Sequence, residues 1–415
     1  MRSLLVSTYE DIGGASLAAK RLYSGLKNIG SDAQMYVQVK TTDDPGVHTS
    51  DSRFYRSTTM LRDYTDSAPL IFYRNRQKTS WSVGWLPYNI TKKIQNLDPD
   101  IVNFHWINGG FFPVTQIKKI KKPMLMTLHD LWTFTGGCHY TGDCEKYRTH
   151  CGSCPQLSSM QKHDLSYYLF DRKRKCLTSP DIEIVSPSRW LAECAGDSAL
   201  LREKKIHVIP NGVDLNVYKP VNPQWAREIL NLPKDKKLIL FGAIGASSIP
   251  RKGFRYLQSA LQNLPSSIGS KCEFLTFGDT MSPVIDAYGI PHRNLGKVAG
   301  DIALSLVYSA SDVYISPAIQ EAFGLTVLES MACGTPVVAF DTGGAQDIID
   351  HKSTGYLAKM CDADDLAEGI EWCLMNNENE RRLSQNCRSR SISHFDINQV
   401  ARQYASLYSR IVENQ

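Results

Sequence analysis

Short apolar runs alternate along this chain with longer stretches whose apolar positions recur at helical spacing. Such runs, rich in Val, Ile, Leu and Phe, are typical of parallel strands that are covered on both faces. They fall at residues 3–8, 34–39, 100–106, 123–130, 182–188, 236–243, 273–279, 312–317 and 337–340. Helical stretches end at Gly30 or cover residues 189–201, 301–310, 363–376 and 399–412. This alternation predicts an α/β protein with parallel sheets.

The strand, glycine turn and helix that open the chain recur in its second half. Gly13 and Gly14 lie between the first strand and the helix that ends at Gly30, which is how a dinucleotide-type βαβ unit begins. Gly14 would let the backbone approach a ligand closely, although a simple tight turn explains the glycine pair nearly as well. The strand at 236–243 leads in the same way to a helix near Gly253. With 415 residues and about 150 residues per domain, the pattern predicts two Rossmann-like domains.

One long region departs from this alternation. Residues 41–99 are polar, rich in Ser and Thr, and show no sustained period. We therefore predict long loops with a helix or two in this region. Loops on a rigid scaffold are where specificity for a binding partner usually resides.

The most informative stretch runs from Ser316 to Gly344 and reads SPAIQEAFGLTVLESMACGTPVVAFDTGG. Its apolar positions predict a helix with one inward face, formed by Leu325, Leu328 and Ala332. Gly334 ends this helix, and the following VVAF predicts a short buried strand. Glu321 should therefore lie just before the helix, and Glu329 on its second turn.

The start of this helix is a candidate anion site. Backbone N–H groups of Phe323, Gly324 and Leu325 would point at an anion there. With a carboxylate on either side, the site suits a nucleoside diphosphate sugar. Glu321 would bind sugar hydroxyls, the amides would bind the pyrophosphate, and Glu329 would bind the ribose diol. The simpler interpretation is an amphipathic helix with two solvated glutamates.

Two cations and one glycine complete this candidate site. Arg251 and Lys252 lie in the loop that leads to the helix near Gly253. Cations in such a loop are placed to clamp a diphosphate and to stabilise the charge that develops on a leaving phosphate. A solvated basic pair is the alternative. Gly278, in the strand at 273–279, would lie under the nucleotide base.

Two strands of the first half end in a histidine: His105 precedes Trp106, and His129 precedes Asp130. Ligands of open α/β sheets bind outside the carboxyl ends of the strands. Both histidines are therefore candidate site residues. A hydrogen-bonded turn residue is an equally good explanation of either position.

Segment 136–157 is rich in cysteine. Its four cysteines are spaced C-x5-C-x6-C-x2-C and are Cys138, Cys144, Cys151 and Cys154. The final CGSC is a knuckle that offers two thiolates to one ion, and its loop-rich surroundings suit a tetrahedral structural zinc site. Four sulfurs would leave no open position for catalysis. Free buried cysteines, or a redox pair at CGSC, are the alternatives.

Composition and charge limit the classes of protein to which this chain can belong. Hydrophobic residues at 42% and charged residues at 21% are ordinary for a globular protein. The net charge of +5 does not call for nucleic acid and fits anionic substrates or an anionic membrane. Basic stretches at 116–122 and 171–175 could face such a membrane, although solvated faces are the default.

Two features that the sequence lacks indicate where in the cell the protein is located. No apolar run approaches the ~20 residues that span a bilayer, and the apolar N-terminal stretch is too short for a signal peptide. We therefore expect a cytoplasmic protein. An odd number of cysteines, 11 in all, favours reduced thiols over a disulfide framework.

The string E-A-F-G-L-x-x-x-E-x-x-A-C-G-T-P-V-V, followed by D-T-G-G, resembles the Glu-x7-Glu donor site of the retaining glycosyltransferases of family 4. Ala322 stands where that family often has glycine. HWINGGF and HDLWTFTGGCHY resemble a subgroup that builds bacterial exopolysaccharides, such as colanic-acid-type polymers. The resemblance implies the GT-B fold, in which two Rossmann-like domains with mainly parallel sheets face each other across a cleft.

The resemblance also implies domain bounds and residue roles. The acceptor domain would cover 1–208, the donor domain 209–395, and a C-terminal helix at 396–415 would cross back to the first domain. His129 matches a position that contacts the transferred sugar. The resemblance gives less support to His105 as a site residue. The family usually has an arginine directly after the glycine that ends the strand at 236–243. Here Arg251 comes from further along, which makes Lys252 the stronger candidate.

The implied reaction moves a sugar from a nucleoside diphosphate sugar to a hydroxyl of a glycan or lipid-linked glycan, with retention at the anomeric carbon. Glu321 would act on sugar hydroxyls and not as the nucleophile. Positive charge from Arg251, Lys252 and the helix start would make a catalytic metal unnecessary. The enzyme would work in the cytoplasm, with peripheral contact at the inner face of the membrane. The alternatives are a sugar-nucleotide epimerase, a glycosyl phosphorylase, and a non-catalytic module that binds nucleotide sugar or zinc.

Overall fold

The structure is a computed structural model of the chain, and it describes residues 1–50, 58–178, 181–243, 249–278, 289–377 and 381–414. The chain forms two compact units. Unit 1 consists of Met1–Gly212 and Asn398–Gln415, and unit 2 consists of Val213–Ile397. The predicted loop regions around 41–99 and before Arg251 include residues 51–57 and 244–248, which lie outside the described residues.

Each unit contains one sheet. The strands of unit 1 are β1 (Arg2–Tyr9), β2 (Asp32–Val39), β3 (Val47–His48), β4 (Ile101–Phe104), β5 (Met124–Thr127), β6 (Ile182–Ser186) and β7 (Ile206–Val208). Those of unit 2 are β8 (Lys237–Ala243), β9 (Cys272–Gly278), β10 (His292–Asn294), β11 (Val313–Ser316), β12 (Val337–Phe340) and β13 (Gly355–Ala358). All the strand pairs are parallel.

The helices lie in most of the connections between strands and after the last strand. They are α1 (Gly14–Asn28), α2 (Thr59–Asp66), α3 (Thr91–Leu97), α4 (Leu165–Leu177), α5 (Arg189–Asp197), α6 (Pro223–Ile229), α7 (Phe254–Asn263), α8 (Ser266–Gly269), α9 (Asp301–Ala310), α10 (Leu325–Ala332), α11 (Ala345–Ile348), α12 (Ala363–Asn376), α13 (Arg382–Phe395) and α14 (Ile397–Glu413). Short 3₁₀ helices occur in the loops of unit 1, among them Trp132–Phe134 and Lys146–Arg148.

The strand order determines where a ligand should bind. The first sheet runs β3-β2-β1-β4-β5-β6-β7 and the second runs β10-β9-β8-β11-β12-β13. In both sheets the order of the strands reverses next to the first strand of the unit. The early strands are added on one side of β1 or β8, and β4 or β11 is then added on the other side. Open α/β sheets bind ligands beyond the carboxyl ends of the strands at this switch point. The loops after β1, β4, β8 and β11 are therefore the places to search for a site.

The C-terminal helix belongs to the core of unit 1. Tyr404 and Tyr408 of α14 are buried beside the first sheet. The Asn103 side-chain N–H donates to the Tyr408 hydroxyl oxygen at 2.7 Å, and the Thr127 hydroxyl donates to the Asn103 oxygen at 3.0 Å. This buried polar chain joins α14 to β4 and β5, just before the loops that carry His105 and His129.

The predicted α/β fold with parallel sheets is confirmed, and the helices at 301–310 and 363–376 have the predicted bounds. β4 and β5 are shorter than the apolar runs that predicted them. Consequently His105 lies directly after β4 and His129 lies two residues after β5, so the prediction that each histidine ends a strand is wrong. The predicted helix at 189–201 ends at Asp197, where Ser198 adopts an extended conformation.

Candidate active site

The loops after β8 and β11 bring the predicted cations and Glu321 together. The Lys252 ammonium lies 2.6 Å from Oε2 of Glu321, and a guanidinium nitrogen of Arg251 lies 3.6 Å from the same oxygen. Arg251 also donates to the Gln320 carbonyl at 3.2 Å. About a fifth of the Lys252 and Glu321 side chains is exposed, at 22% each. The alternative of a solvated basic pair is therefore wrong for Lys252.

A glycine permits the close approach of these two loops. Gly253 follows Lys252 and has φ = 70°, in the left-handed region. A Cβ atom on Gly253 would lie 1.7 Å from the Pro317 carbonyl oxygen, which is much shorter than any real contact. The Ile319 N–H donates to the Arg251 carbonyl at 2.8 Å and closes the contact. Only glycine fits here, so Lys252 is held beside the loop that carries Glu321.

The D-T-G-G loop after β12 fixes the backbone of Glu321 from the other side. The Gly344 N–H donates to the Glu321 carbonyl at 2.9 Å. A Cβ atom on Gly343 would lie 2.3 Å from that carbonyl oxygen, and one on Gly344 would lie 2.3 Å from the Cα atom of Phe323. Close packing against the backbone of Glu321 and Phe323 therefore explains why both positions of the motif are glycine, which the sequence alone did not reveal.

The candidate anion site is the start of α10. Gly324 precedes the helix with φ = 106° and, being a glycine, has no side chain with which to cap the first turn. Phe323 is buried and meets Phe395 edge to face, with ring centroids 6.2 Å apart. Leu325, the first helical residue, packs against the core of unit 2. The N–H groups of this first turn point away from the helix, where an anion would be stabilised by the helix dipole.

Glu329 lies on the second turn of α10, as predicted, but in a buried position. Only 3% of it is exposed, and the Tyr308 hydroxyl donates to its Oε2 at 3.1 Å. Burial raises the pKa of Tyr308 well above its usual value, and the nearby charge of Glu329 raises it further. The alternative of two solvated glutamates is thus wrong, since Glu329 is enclosed and Glu321 is ion-paired.

Gly278 ends β9, beside β8, with φ = 111°. Its N–H donates to the Gly296 carbonyl at 2.9 Å. The neighbouring Phe277 ring covers Gly242 so closely that a Cβ atom there would lie 2.0 Å from the ring. In unit 1, Gly14 is the first residue of α1, preceded by Gly13 with φ = 84°. Gly14 follows β1, which borders the switch point of the first sheet, whereas Gly278 ends β9, one strand away from the switch point of the second sheet.

The two histidines of unit 1 form a pair. His105 Nδ1 lies 3.0 Å from His129 Nε2, and the rings stack with centroids 5.2 Å apart. His105 is buried, whereas His129 is half-buried. Burial lowers the pKa of His129 to about 4, although the charge of Asp130 opposes this, and it lowers the pKa of His105 well below its usual value. Both rings are therefore neutral at pH 7.

Asp130 joins two other side chains and one backbone N–H group of this region. It accepts hydrogen bonds from Trp106 Nε1 at 3.1 Å and from the Trp132 N–H at 2.8 Å, and it lies 2.6 Å from His139 Nδ1. Burial alone would raise the pKa of Asp130, but the contact with His139 and the other hydrogen bonds lower it. Sequence analysis missed His139, whose signal was only its place in the HDLWTFTGGCHY stretch.

The four clustered cysteines line one cavity of about 20 Å³. Burial raises the pKa of Cys138 to about 12 and also raises those of Cys151 and Cys154. All eleven cysteines are free thiols. Among the described residues, no three His, Cys, Asp or Glu side chains are gathered as a metal-binding group. The predicted zinc site is thus not shown, although its four residues lie together.

One residue of the basic stretch at 171–175 is buried beside this cavity. The Lys173 ammonium donates to the Trp132 and Thr135 carbonyls, the latter at 3.1 Å, and lies 3.6 Å from the centre of the Trp132 ring. Burial lowers the pKa of Lys173 to about 7. The expectation of a fully solvated basic face is therefore wrong at this position.

Two Rossmann-like sheets, with an uncapped helix start between an ion-paired and a buried glutamate, suit a ligand that carries both hydroxyls and a diphosphate. Fold and site together define a class, the nucleotide-sugar-dependent glycosyltransferases with the GT-B fold. Residues 12–217 match the family model Glycosyltransferase Family 4, and residues 224–390 match the model Glycosyl transferases group 1. The chain belongs to glycosyltransferase family 4. This membership sets aside the epimerase, phosphorylase and non-catalytic alternatives.

Two individual relatives that match this chain share about a quarter of their aligned residues with it. An uncharacterized glycosyltransferase of Methanocaldococcus jannaschii is 25% identical over 334 residues, which cover 74% of this chain and 82% of the relative. WcaC of Escherichia coli K12, named for a tentative role in colanic acid biosynthesis, is 25% identical over 274 residues, covering 62% of this chain and 63% of WcaC.

Solved structures show the same fold. HepE of Anabaena, solved in complex with UDP-glucose, has a TM-score of 0.66 to this chain at 18% identity. The alignment covers 99% of this chain and 100% of HepE. Among the described residues, no helix is long and apolar enough to cross a membrane.

Proposed function

We propose that this enzyme transfers a sugar from a nucleoside diphosphate sugar to a hydroxyl of a glycan or lipid-linked glycan, with retention, during polysaccharide biosynthesis. The observation that carries the donor part is the Lys252–Glu321 pair, 2.6 Å apart at the switch point of the second sheet. The likeness to WcaC supports the polysaccharide part. Unit 1 would bind the acceptor and unit 2 the donor.

In the proposed donor complex, the start of α10 binds the pyrophosphate through the N–H groups of Phe323, Gly324 and Leu325. Lys252, assisted by Arg251, would neutralise the charge that grows on the leaving phosphate. Such fixed charges stabilise a transition state without reorganising during the reaction. Glu321, already held by Lys252, would accept hydrogen bonds from sugar hydroxyls.

Glu329 would bind the ribose diol after exchanging its bond from Tyr308 for bonds from the ribose. Gly278 would lie under the base, and Gly14 would leave room for the ligand near the first sheet. These roles require the ligand to reach a carboxylate that is only 3% exposed. Donor binding would therefore include a local rearrangement around Glu329.

The proposed mechanism is a same-face substitution in which the departing phosphate helps to deprotonate the acceptor hydroxyl. Neutral His129 would bind a hydroxyl of the transferred sugar and hold the sugar in the orientation that the reaction requires. Lys252, Arg251 and the helix start supply the positive charge that a catalytic metal would otherwise supply.

Incubation of the purified enzyme with UDP-, GDP- and ADP-sugars and a panel of glycan acceptors tests the proposal. Mass spectrometry should detect an acceptor enlarged by one sugar with one donor class, and nuclear magnetic resonance should show the anomeric configuration of the donor in the product. An inverted product would contradict retention. Sugar transfer only to non-glycan acceptors would contradict the acceptor class.

We also propose a structural zinc ion bound by Cys138, Cys144, Cys151 and Cys154. A cavity of about 20 Å³ is large enough for a single water-sized species, and thiolates are preferred zinc ligands. Metal binding would draw the four sulfurs to ~2.3 Å from the ion. The ion would contribute to folding and leave the sugar chemistry to other residues.

Elemental analysis of protein purified without added metal should find one zinc per chain. Cys151→Ser should lose the zinc and melt at a lower temperature. Cys194→Ser, at another half-buried cysteine of unit 1, should retain the zinc. Four freely titrating thiols in the native, metal-free protein would contradict the site.

Finally, we propose peripheral contact with an anionic membrane, at the inner face in the cell. Lys118, Lys119 and Lys121 are exposed in the basic stretch 116–122, and each cation near an anionic surface contributes ~1 kcal/mol. The triple change of these lysines to Gln should reduce co-sedimentation with vesicles that contain phosphatidylglycerol. Equal binding of the parent to purely zwitterionic vesicles would contradict this electrostatic contact.

A further inference from the structure

The histidine pair in unit 1 contains a buried nitrogen with no hydrogen-bond partner. His105 Nδ1 faces His129 Nε2 at 3.0 Å, and His105 Nε2 is enclosed without a partner among the described residues. Only 4% of His105 is exposed. The second nitrogen of His129, Nδ1, lies on the half-buried ring that still reaches solvent. The proton positions in this pair determine what His129 offers to a ligand.

Two arrangements of protons are consistent with two neutral rings. In the first, His105 Nδ1–H donates to His129 Nε2, so His105 Nε2 is a bare nitrogen and His129 carries its proton on Nδ1. In the second, His129 Nε2–H donates to His105 Nδ1, so an N–H group is orphaned at His105 Nε2. Orphaned buried N–H groups are rarely tolerated in proteins, which favours the first arrangement.

We infer that His105 is a positioning residue that holds His129 in the tautomer with its proton on Nδ1. His129 therefore presents a fixed hydrogen-bond donor, and its ligand must offer an oxygen with a free lone pair, such as a sugar hydroxyl. A nitrogen that already carries a proton does not act as a general base. The pair thus assigns His129 to recognition and orientation of the sugar.

The strands make this arrangement rigid. β4 and β5 are adjacent in the sheet, and Asn103 and Thr127 are joined by a hydrogen bond of 3.0 Å two residues before each histidine. His105 begins the loop after β4, where its backbone N–H donates to the Val6 carbonyl at 2.9 Å. The pair is therefore formed before any ligand binds, and binding does not have to order His129. The tautomer follows from unit 1 alone, and only the identity of the ligand rests on the proposed function.

Nuclear magnetic resonance of the full chain labelled with ¹⁵N at histidine tests the tautomer directly. His105→Asn and His129→Asn identify the two rings among the ten histidines by loss of their signals. At pH 7 both rings should show the Nδ1–H pattern. His129 in the Nε2–H pattern would overturn the inference, whether or not the enzyme transfers sugar.

Kinetics then tests the positioning role. His105→Leu removes the donor, so His129 should shift toward the Nε2–H tautomer and kcat should fall about tenfold, the typical cost of one hydrogen bond to a reacting ligand. Nucleotide affinity should change less than about twofold. His105→Asn keeps an N–H donor near the position of Nδ1 and should retain more activity than His105→Leu.

The matched control is His207→Leu. His207 pairs with Glu183 at 2.7 Å elsewhere in unit 1, so this variant should leave both the His129 signal and kcat unchanged. If His105→Leu folds and turns over like the parent, the positioning role is wrong even when the tautomer is right. If neither His105 variant folds, the tautomer in the parent still decides the inference.

Discussion

At the scale of single residues, the contacts around Glu321 are the most informative about the candidate site. Two cations neutralise it, and two neighbouring loops fix its backbone, so its carboxylate stays in one place before a ligand arrives. Preorganised charge of this kind is more effective in a transition state than charge that must be ordered during the reaction. Lys252 holds Glu321, and in the proposed mechanism it would also face the leaving phosphate.

Replacing Lys252 with Met tests this double role. The Lys252→Met enzyme should lose about 100-fold in kcat, the usual effect of removing one charge-stabilising group, and should also bind nucleoside diphosphate more weakly. Initial rates with saturating donor and acceptor measure the first effect, and calorimetry measures the second. The exposed Lys271→Met is the control. Equal rates for Lys252→Met and Lys271→Met would contradict the role.

The pKa of His129 predicts a dependence of stability on pH. The pKa is lowered to about 4 from 6.5 by burial, so between these values the unfolded chain binds a proton that the folded protein does not. Stability should therefore be greatest above pH 6.5 and fall as the pH drops toward 4. In urea unfolding at pH 7 and pH 4.5, the parent should lose more stability than His129→Asn. Equal losses in the two proteins would contradict the lowered pKa.

Sequence analysis proposed Glu321 and Glu329 from a motif with fixed spacing. It proposed Lys252 and His129 from their positions after predicted strands and from the family resemblance. It did not identify Tyr308, whose role depends on a neighbour that is distant in sequence, or His139, which lies in the HDLWTFTGGCHY stretch but acquires its role only through its contact with Asp130. Tyr308 is 21 residues from Glu329. Partners of this kind become visible only when the chain is folded.

At the scale of elements, the loops after β8 and β11 meet through Gly253. The backbone there is left-handed, and the Pro317 carbonyl occupies the place of a side chain. The contact brings Lys252 to Glu321. The geometry of the site therefore depends on Gly253, although Gly253 would touch no ligand.

Gly253→Ala should therefore damage both stability and donor binding. Overpacking of this kind costs about 1 to 3 kcal/mol, and the displaced loop should weaken binding of nucleoside diphosphate. Gly30→Ala is a matched control, because Gly30 lies in unit 1 and has a similar φ of 80° but nothing within 4 Å of its missing Cβ atom. Urea unfolding and calorimetry of both variants measure the effects. If the two substitutions are equally harmful, backbone strain and not the Pro317 contact explains them.

The sequence predicted elements well where hydrophobic periodicity was strong and poorly elsewhere. Helix α13 was missed because its buried positions, Leu383, Cys387, Ser391 and Phe395, provide one inward residue per turn, and one of the four is polar. Strands β3, β7, β10 and β13 were missed because they have two to four residues. Such short strands owe their structure to the neighbour with which they pair.

At the scale of the whole molecule, the same strand order occurs in both units, and the chain returns to unit 1 through α14. Its Tyr408 hydroxyl reaches Asn103 at 2.7 Å, beneath the strands that lead to the two histidines. The last helix therefore contributes to the core on which the histidine pair is built. This return was predicted from family resemblance, since an amphipathic helix does not by itself reveal which surface it covers.

Tyr408→Phe tests the contribution of this helix. It leaves the buried Asn103 amide without an acceptor, which should lower the free energy of unfolding by about 1 to 3 kcal/mol. Tyr168→Phe, at a position that is 60% exposed, should have little effect. Denaturant unfolding of the two variants measures the difference, and no difference between them would show that the Asn103 bond does not stabilise unit 1.

The most direct test of the donor site compares Glu321→Ala with Glu329→Ala by calorimetry with nucleoside diphosphate and by turnover with donor and acceptor. Glu321→Ala should bind the nucleotide like the parent and turn over much more slowly, because we propose that Glu321 binds the sugar and not the nucleotide. Glu329→Ala should bind the nucleotide more weakly, because the ribose loses its acceptor. Parent-like affinity and full activity in both variants would contradict the account.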